Sequence, residues 1–122
     1  MDRGICGVRR LGPQGHAELP FYGRISALSL DPIEKKPLKH FHGGNYILSV
    51  GFLGCNAHCS FCQNWHISQD LSAPSDYLSP EELASLAKEK SFGLAYTYSE
   101  PLIHYEYLLD TMIACHEKGV SN

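Results

Sequence analysis

Apolar residues fall into two short runs and two longer periodic stretches, and their spacing differs. In residues 45–51, Tyr46, Ile47, Leu48 and Val50 form a nearly continuous apolar run, the pattern of a buried strand. Residues 92–98 predict a second short strand. Between them, Ser79-Pro80-Glu81-Glu82 predicts a helix start: a capping hydroxyl, a proline in the first helical position and a carboxylate placed for a capping box. Leu83, Leu86 and Ala87 continue as an i, i+3, i+4 stripe. Residues 100–117 predict a second helix with Leu102, Tyr105, Leu108, Leu109, Met112 and Ile113 as its apolar face, and Gly119 as its stop.

Upstream, residues 1–24 are rich in Gly, Arg and Pro and read as a loop-rich lead-in. Residues 24–31 alternate in part, with Ile25, Leu28 and Leu30 apolar, and form a candidate strand. The two prolines of residues 31–37 exclude a regular helix or a central strand there. Residues 40–45 read as a turn, and residues 68–76 are polar without periodicity. The chain divides into a lead-in, 1–44, and a βα portion, 45–122. The order strand, loop, helix, strand, helix predicts an α/β fold with parallel strands and crossover helices. A third strand is expected to begin at Val120-Ser121-Asn122, so the chain reads as a portion of a larger fold. No internal repeat or low-complexity segment is visible.

Composition narrows the class. The 122 residues are 43% hydrophobic and 19% charged, which suits a folded domain rather than a disordered chain. The formal net charge of −3, with no basic run longer than Arg9-Arg10 or Lys35-Lys36, predicts no nucleic-acid partner. The start of the chain has no signal-peptide pattern, and the longest apolar segment, 46–53, is too short to span a bilayer. Five cysteines is an odd number. Clustered thiols without a secretion signal favour metal ligation over disulfides and a cytoplasmic, reducing setting.

Three of the five cysteines lie within eight residues: Cys55, Cys59 and Cys62 in the pattern C-x3-C-x2-C, with Phe61 before the third. Three thiolates can hold three corners of a cubane iron–sulfur cluster and leave the fourth iron open. Two other readings stand beside it. The spacing also matches one face of a helix bearing buried thiols, although Gly54 and Asn56 are poor helix formers. With His66 the set becomes C-x3-C-x2-C-x3-H, a tetrahedral zinc pattern for a small zinc-stabilised binding module.

The motif resembles the signature of the radical S-adenosylmethionine (radical SAM) superfamily, C-x3-C-x-aromatic-C at the end of a first barrel strand. Leu48-Ser49-Val50-Gly51, Gly54-Cys55-Asn56, Phe61-Cys62-Gln63-Asn64-Trp65, residues 31–38 and Ala95-Tyr96-Thr97-Tyr98-Ser99-Glu100-Pro101 are similar to the pyruvate formate-lyase activating enzyme branch, and within it to the radical SAM member of the AmmeMemoRadiSam group. The likeness extends over nearly the whole chain. It implies the N-terminal part of a partial (β/α)6 TIM-like barrel, with two βα units after the lead-in.

The resemblance also implies a chemistry. Cys55, Cys59 and Cys62 would each bind one iron of a [4Fe–4S] cluster, and S-adenosylmethionine would chelate the fourth through its amino and carboxylate groups. One electron passed to the sulfonium breaks the bond from sulfur to the ribose carbon, giving methionine and a 5′-deoxyadenosyl radical that takes hydrogen from a substrate. Phe61 would pack near the adenine, and Asn64 would contact S-adenosylmethionine or substrate. Glu100, with Thr97 and Ser99, stands at the Glu-Pro end of a Gly-Gly-Glu-like motif that accepts the ammonium group; the plainer role for Glu100 is to sit at a helix N-terminus. Asn56 and Gln63 would donate hydrogen bonds to cluster sulfurs, and His58 would be solvated. His40 and His42 read as lead-in residues and Cys115 as a buried small residue, and Cys6 is given no site. The implied partners are an unspecified protein or small-molecule substrate and a one-electron donor such as flavodoxin or ferredoxin, with no membrane partner. The portion alone is expected to be inactive as an enzyme, and to self-associate or be poorly stable with its sheet edge and apolar faces uncovered.

Overall fold

A computed structural model describes residues 2–122. In chain order the elements are β1 (Arg10–Leu11), β2 (Ala17–Glu18), β3 (Arg24–Pro32), β4 (Tyr46–Phe52), α1 (Trp65–Ser68), β5 (Asp76–Tyr77), α2 (Pro80–Lys90), β6 (Leu94–Tyr96) and α3 (Tyr105–Glu117). Short 3-10 turns cover Ile33–Lys35 and Pro101–His104. β1 and β2 form an antiparallel hairpin. The other four strands make one sheet in the order β5-β3-β4-β6.

β4 and β6 are parallel, paired from Leu48–Leu94 to Val50–Tyr96, and α2 lies between them in the chain. This is the strand–helix–strand unit that the alternation predicts. A further parallel bridge joins Gly93 to Ser121, with the Leu94 amide donating to the Ser121 carbonyl at 2.8 Å. At the position where a third strand is expected, Ser121 makes this single isolated bridge, and no strand follows α3 among the described residues. β3 runs antiparallel to β4 along almost its whole length, so residues before and after position 45 share one sheet. β5 reaches only Arg24 and Ile25 of β3, and the Pro32 end of β3 has β4 as its sheet neighbour. A proline is tolerated there because the sheet asks nothing of its missing N–H.

One face of the sheet is closed by α2 and α3. Leu48, Val50, Phe52 and Leu94 pack on Leu83, Ala84, Ala87, Tyr107, Ala114 and Cys115. The α2 start forms as its sequence predicts: Ser79 Oγ accepts from the Glu82 amide at 3.1 Å, and Glu82 Oε2 accepts from the Ser79 amide at 2.8 Å. A smaller core joins Cys6 and Val8 of the lead-in to Leu53, Ile67 and Ile103. The lead-in is therefore packed beneath the cysteine segment, and its loop-rich composition hides the β1–β2 hairpin and the buried side chains of Cys6 and Val8.

Three expectations need correction. The second strand is Leu94–Tyr96, shorter at both ends than residues 92–98. The second helix is interrupted, a 3-10 turn followed by α3. Its buried face holds Tyr107, Leu108, Thr111, Ala114 and Cys115, whereas Leu102, Tyr105, Leu109, Met112 and Ile113 are exposed. Local hydrogen bonds explain the rotation. Thr111 Oγ1 donates to the Tyr107 carbonyl at 2.7 Å, and the Tyr107 hydroxyl donates to the Leu78 carbonyl at 2.9 Å. Polar atoms satisfied in this way can enter the core. No helix among the described residues is long and apolar enough to cross a membrane.

Candidate metal centre

β4 ends at Phe52, and the chain passes through Leu53 and Gly54 into the cysteine loop. Gly54 has a φ of +83°, and a Cβ there would lie 2.6 Å from both the Cys6 carbonyl oxygen and Val8 Cγ1. Only glycine fits this corner. The Gly54 amide donates to the Ile67 carbonyl at 2.9 Å, and Gln69 Nε2 donates to the Ala57 carbonyl at 3.0 Å, so α1 holds the loop at its base.

Cys55, Cys59 and Cys62 lie outside the helices, which leaves the helix-face reading without support. Cys55 is buried, Cys62 half-buried and Cys59 exposed. Two sulfurs already have polar neighbours: the Ala57 amide donates to Cys55 Sγ at 3.4 Å, and Cys62 Sγ lies 3.4 Å from Ser68 Oγ. N–H and O–H groups placed in this way can donate to the sulfurs of a metal–sulfur group. Among the described residues no three His, Cys, Asp or Glu side chains gather around a single metal-ion position. The one-ion zinc set with His66 is therefore not assembled in this conformation. A cubane asks for something different, because each thiolate meets its own iron. Three thiols on an open loop with N–H and O–H donors nearby fit that donor set.

Phe61 is 84% exposed, so the expected packing surface for an adenine is bare in this structure. Asn64 caps α1 in position only: its backbone carbonyl accepts from the Ile67 and Ser68 amides, and its side chain makes no capping bond. Asn56, His58, Gln63 and His66 are exposed.

The second motif reaches the same edge of the sheet. The Thr97 amide donates to the Val50 carbonyl at 2.8 Å, and Ser99 Oγ donates to the Phe52 carbonyl at 2.9 Å. Because β4 and β6 are parallel, their carboxyl ends lie side by side, and Cys55 and Glu100 follow those two ends. Two of the expected ligand-binding groups have other work here. The Ser99 hydroxyl holds the end of β4, and Glu100 Oε1 accepts from the Leu102 amide at 2.9 Å at the start of the 3-10 turn. The plainer, capping role of Glu100 is the one present. Its second carboxylate oxygen and the Thr97 hydroxyl make no hydrogen bond among the described residues.

Sequence reasoning missed two anchoring groups. His104 is fully buried, stacks on Phe52 with ring centroids 4.8 Å apart, and donates from Nε2 to the Leu53 carbonyl at 2.8 Å. Its Nδ1 has no hydrogen-bond partner among the described residues, and burial lowers its pKa, which favours the neutral ring. Arg9 closes the outside of this joint, donating Nε to the Ile103 carbonyl at 2.7 Å and pairing with Glu106. The second group is Asp31, buried at the end of β3, where it accepts from the Tyr98 hydroxyl at 2.7 Å, Lys35 Nζ at 3.0 Å and Lys36 Nζ at 3.3 Å. Burial raises the pKa of this carboxyl, but the phenol and the lysines outweigh it and hold the group well below the usual carboxylate range. A histidine just before a helix and an aspartate near a strand end are ordinary residues in a sequence. Only the long-range pairing marks them.

No known family profile matches the chain, and no solved structure matches it. The chain is 39% identical to uncharacterized protein MJ0808 of Methanocaldococcus jannaschii over 124 aligned positions, covering 99% of this chain and 37% of the relative. It is 35% identical to a second uncharacterized protein of that organism, MJ0674, over 72 positions, covering 52% of this chain and 21% of the relative. The chain thus spans little more than a third of the longer match and about a fifth of the other.

Proposed function

We propose that this chain is the cluster-binding portion of a radical SAM enzyme of the activating-enzyme type. The observation that carries the proposal is the placing of Cys55, Cys59 and Cys62 on one loop at the carboxyl end of β4, beside the end of the parallel strand β6. When bound, a [4Fe–4S] cluster and S-adenosylmethionine would supply one-electron cleavage of the sulfonium and a hydrogen-abstracting radical.

The chain's own residues would hold and orient these groups. The three thiolates would hold the cluster, the Ala57 amide and the Ser68 hydroxyl would donate to sulfur, and Gly54 gives the loop its tight exit from the strand. The second carboxylate oxygen of Glu100 and the hydroxyl of Thr97 would accept hydrogen bonds from the ammonium of the methionine part. Phe61 would cover the adenine and exclude water from it. The substrate, a protein or small molecule, and an electron donor such as flavodoxin or ferredoxin belong to the same proposal, as does a cytoplasmic location. The test is electron paramagnetic resonance of the anaerobically reconstituted, reduced chain. The expected result is a one-electron-reduced cluster signal whose shape changes on adding S-adenosylmethionine. A signal indifferent to the nucleotide contradicts the proposal.

A further inference from the structure

The chain leaves β6 through Tyr98, whose φ of +72° lies in the left-handed region. Bulky L-residues avoid that region, and its occupation at a site needs a compensating contact. The contact is visible. The Tyr98 ring fills the room that Gly51 leaves on β4: a Cβ on Gly51 would lie 2.8 Å from Tyr98 Cδ2. The hydroxyl reaches Asp31 Oδ2 at 2.7 Å, 67 residues away in the chain. Asp31 is only 3% exposed and is held in turn by Lys35 and Lys36, and Lys36 Nζ also lies 5.4 Å from the Tyr98 ring centroid. A buried, charge-balanced carboxylate thus grips the tip of a side chain whose backbone sits in a strained corner.

Thr97 lies on one side of that corner, Ser99 and Glu100 on the other. A glycine at 98 would make the same turn without strain. What tyrosine adds is the tie to Asp31. We infer that Asp31 and Tyr98 are positioning residues for S-adenosylmethionine: the anchored phenol holds residues 97–100 so that Thr97 and Glu100 face the methionine end of the nucleotide. This inference rests on the proposed function.

The test uses the whole 122-residue chain, reconstituted without oxygen, with the variants Tyr98→Phe, Asp31→Asn, Tyr98→Gly and Tyr98→Ala. Tyr98→Phe and Asp31→Asn are expected to keep the parent's iron content. Their dissociation constant for S-adenosylmethionine, read from the change in the resonance spectrum, rises about tenfold with loss of a hydrogen bond to a charged acceptor. Amide hydrogen exchange over residues 97–102 quickens in both. Tyr98→Gly binds the nucleotide more tightly than Tyr98→Ala, because glycine keeps the left-handed corner that alanine resists. Nucleotide binding by Tyr98→Phe within about twofold of the parent overturns the inference, and so does a glycine variant no better than alanine. A parent chain that takes up no cluster, or whose cluster ignores the nucleotide, overturns the proposed function and this inference with it. The parent's own iron content and spectrum tell the two failures apart.

Discussion

His104 Nε2 donates to the carbonyl of Leu53, 51 residues earlier, and so ties the start of the second helical segment to the chain just before the cysteine loop. Ser99 makes the matching bond to Phe52. Two successive carbonyls at the end of β4 are therefore fixed by side chains from the β6–α3 connection, and the loop departs from a rigid base. His104→Ala removes a buried ring and leaves the Leu53 carbonyl unpaired. The expected loss is about 2–4 kcal/mol of unfolding free energy, measured by denaturant titration. Retention of parental stability would show that this tie is not needed.

The same histidine sets a pH dependence. Its folded pKa is lowered from 6.5, chiefly by burial. The unfolded chain therefore takes up the proton first, and stability contributed by the neutral ring is complete above about 6.5 and declines as pH falls through the folded value. Denaturation midpoints measured from pH 8 downward are expected to fall in that window, and His104→Gln is expected to flatten the decline.

Asp31 acts in a lower window. Its folded pKa is depressed below the ordinary 3.8, so its contribution is complete above about 4 and is lost as pH drops further. Asp31→Ala removes the acceptor of the Tyr98 hydroxyl and the partner of Lys36. A loss of about 1–3 kcal/mol at neutral pH is expected, together with a shallower acid limb in a circular-dichroism pH titration.

Gly54 and Gly15 make a paired comparison. Both have positive φ, but Gly15 faces open space whereas Gly54 faces the Cys6 carbonyl and Val8. Gly15→Ala is expected to cost about 1 kcal/mol, the strain alone, and Gly54→Ala at least twice that, from strain plus clash. Thermal melts of the two variants decide it. Equal costs would mean that the loop exit is looser than its geometry indicates.

Much of this fold is legible in the sequence, for reasons that vary with the element. The start of α2 is local chemistry, and Ser79 and Glu82 form the predicted capping box. β4 is legible because it is covered on both faces. The buried face of the second helical segment is not legible from hydropathy, which counts Thr111 and Tyr107 of α3, and His104 of the 3-10 turn before it, as half-polar. In the fold their polar atoms bond to the carbonyls of Tyr107, Leu78 and Leu53, and the apolar side chains Leu109, Met112 and Ile113 lie outward instead. The cysteine loop announces itself by spacing. The Asp31–Tyr98 tie does not, because no periodicity links residues so far apart.

The exposed residues of that helix bear on the expected self-association. Tyr105, Leu109, Met112 and Ile113 form an uncovered apolar surface on α3. Sedimentation at increasing concentration is expected to show the parent chain associating, and the double variant Met112→Lys, Ile113→Lys remaining smaller. A parent that stays monomeric throughout contradicts the expectation.

The most direct test of the central claim is a count of iron and sulfide bound by the anaerobically reconstituted parent chain beside Cys59→Ala. Three thiolates on three corners of a cubane predict about four of each per parent chain and loss of the brown colour in the variant. A folded parent that binds no iron, or a variant that keeps a full cluster, would contradict it.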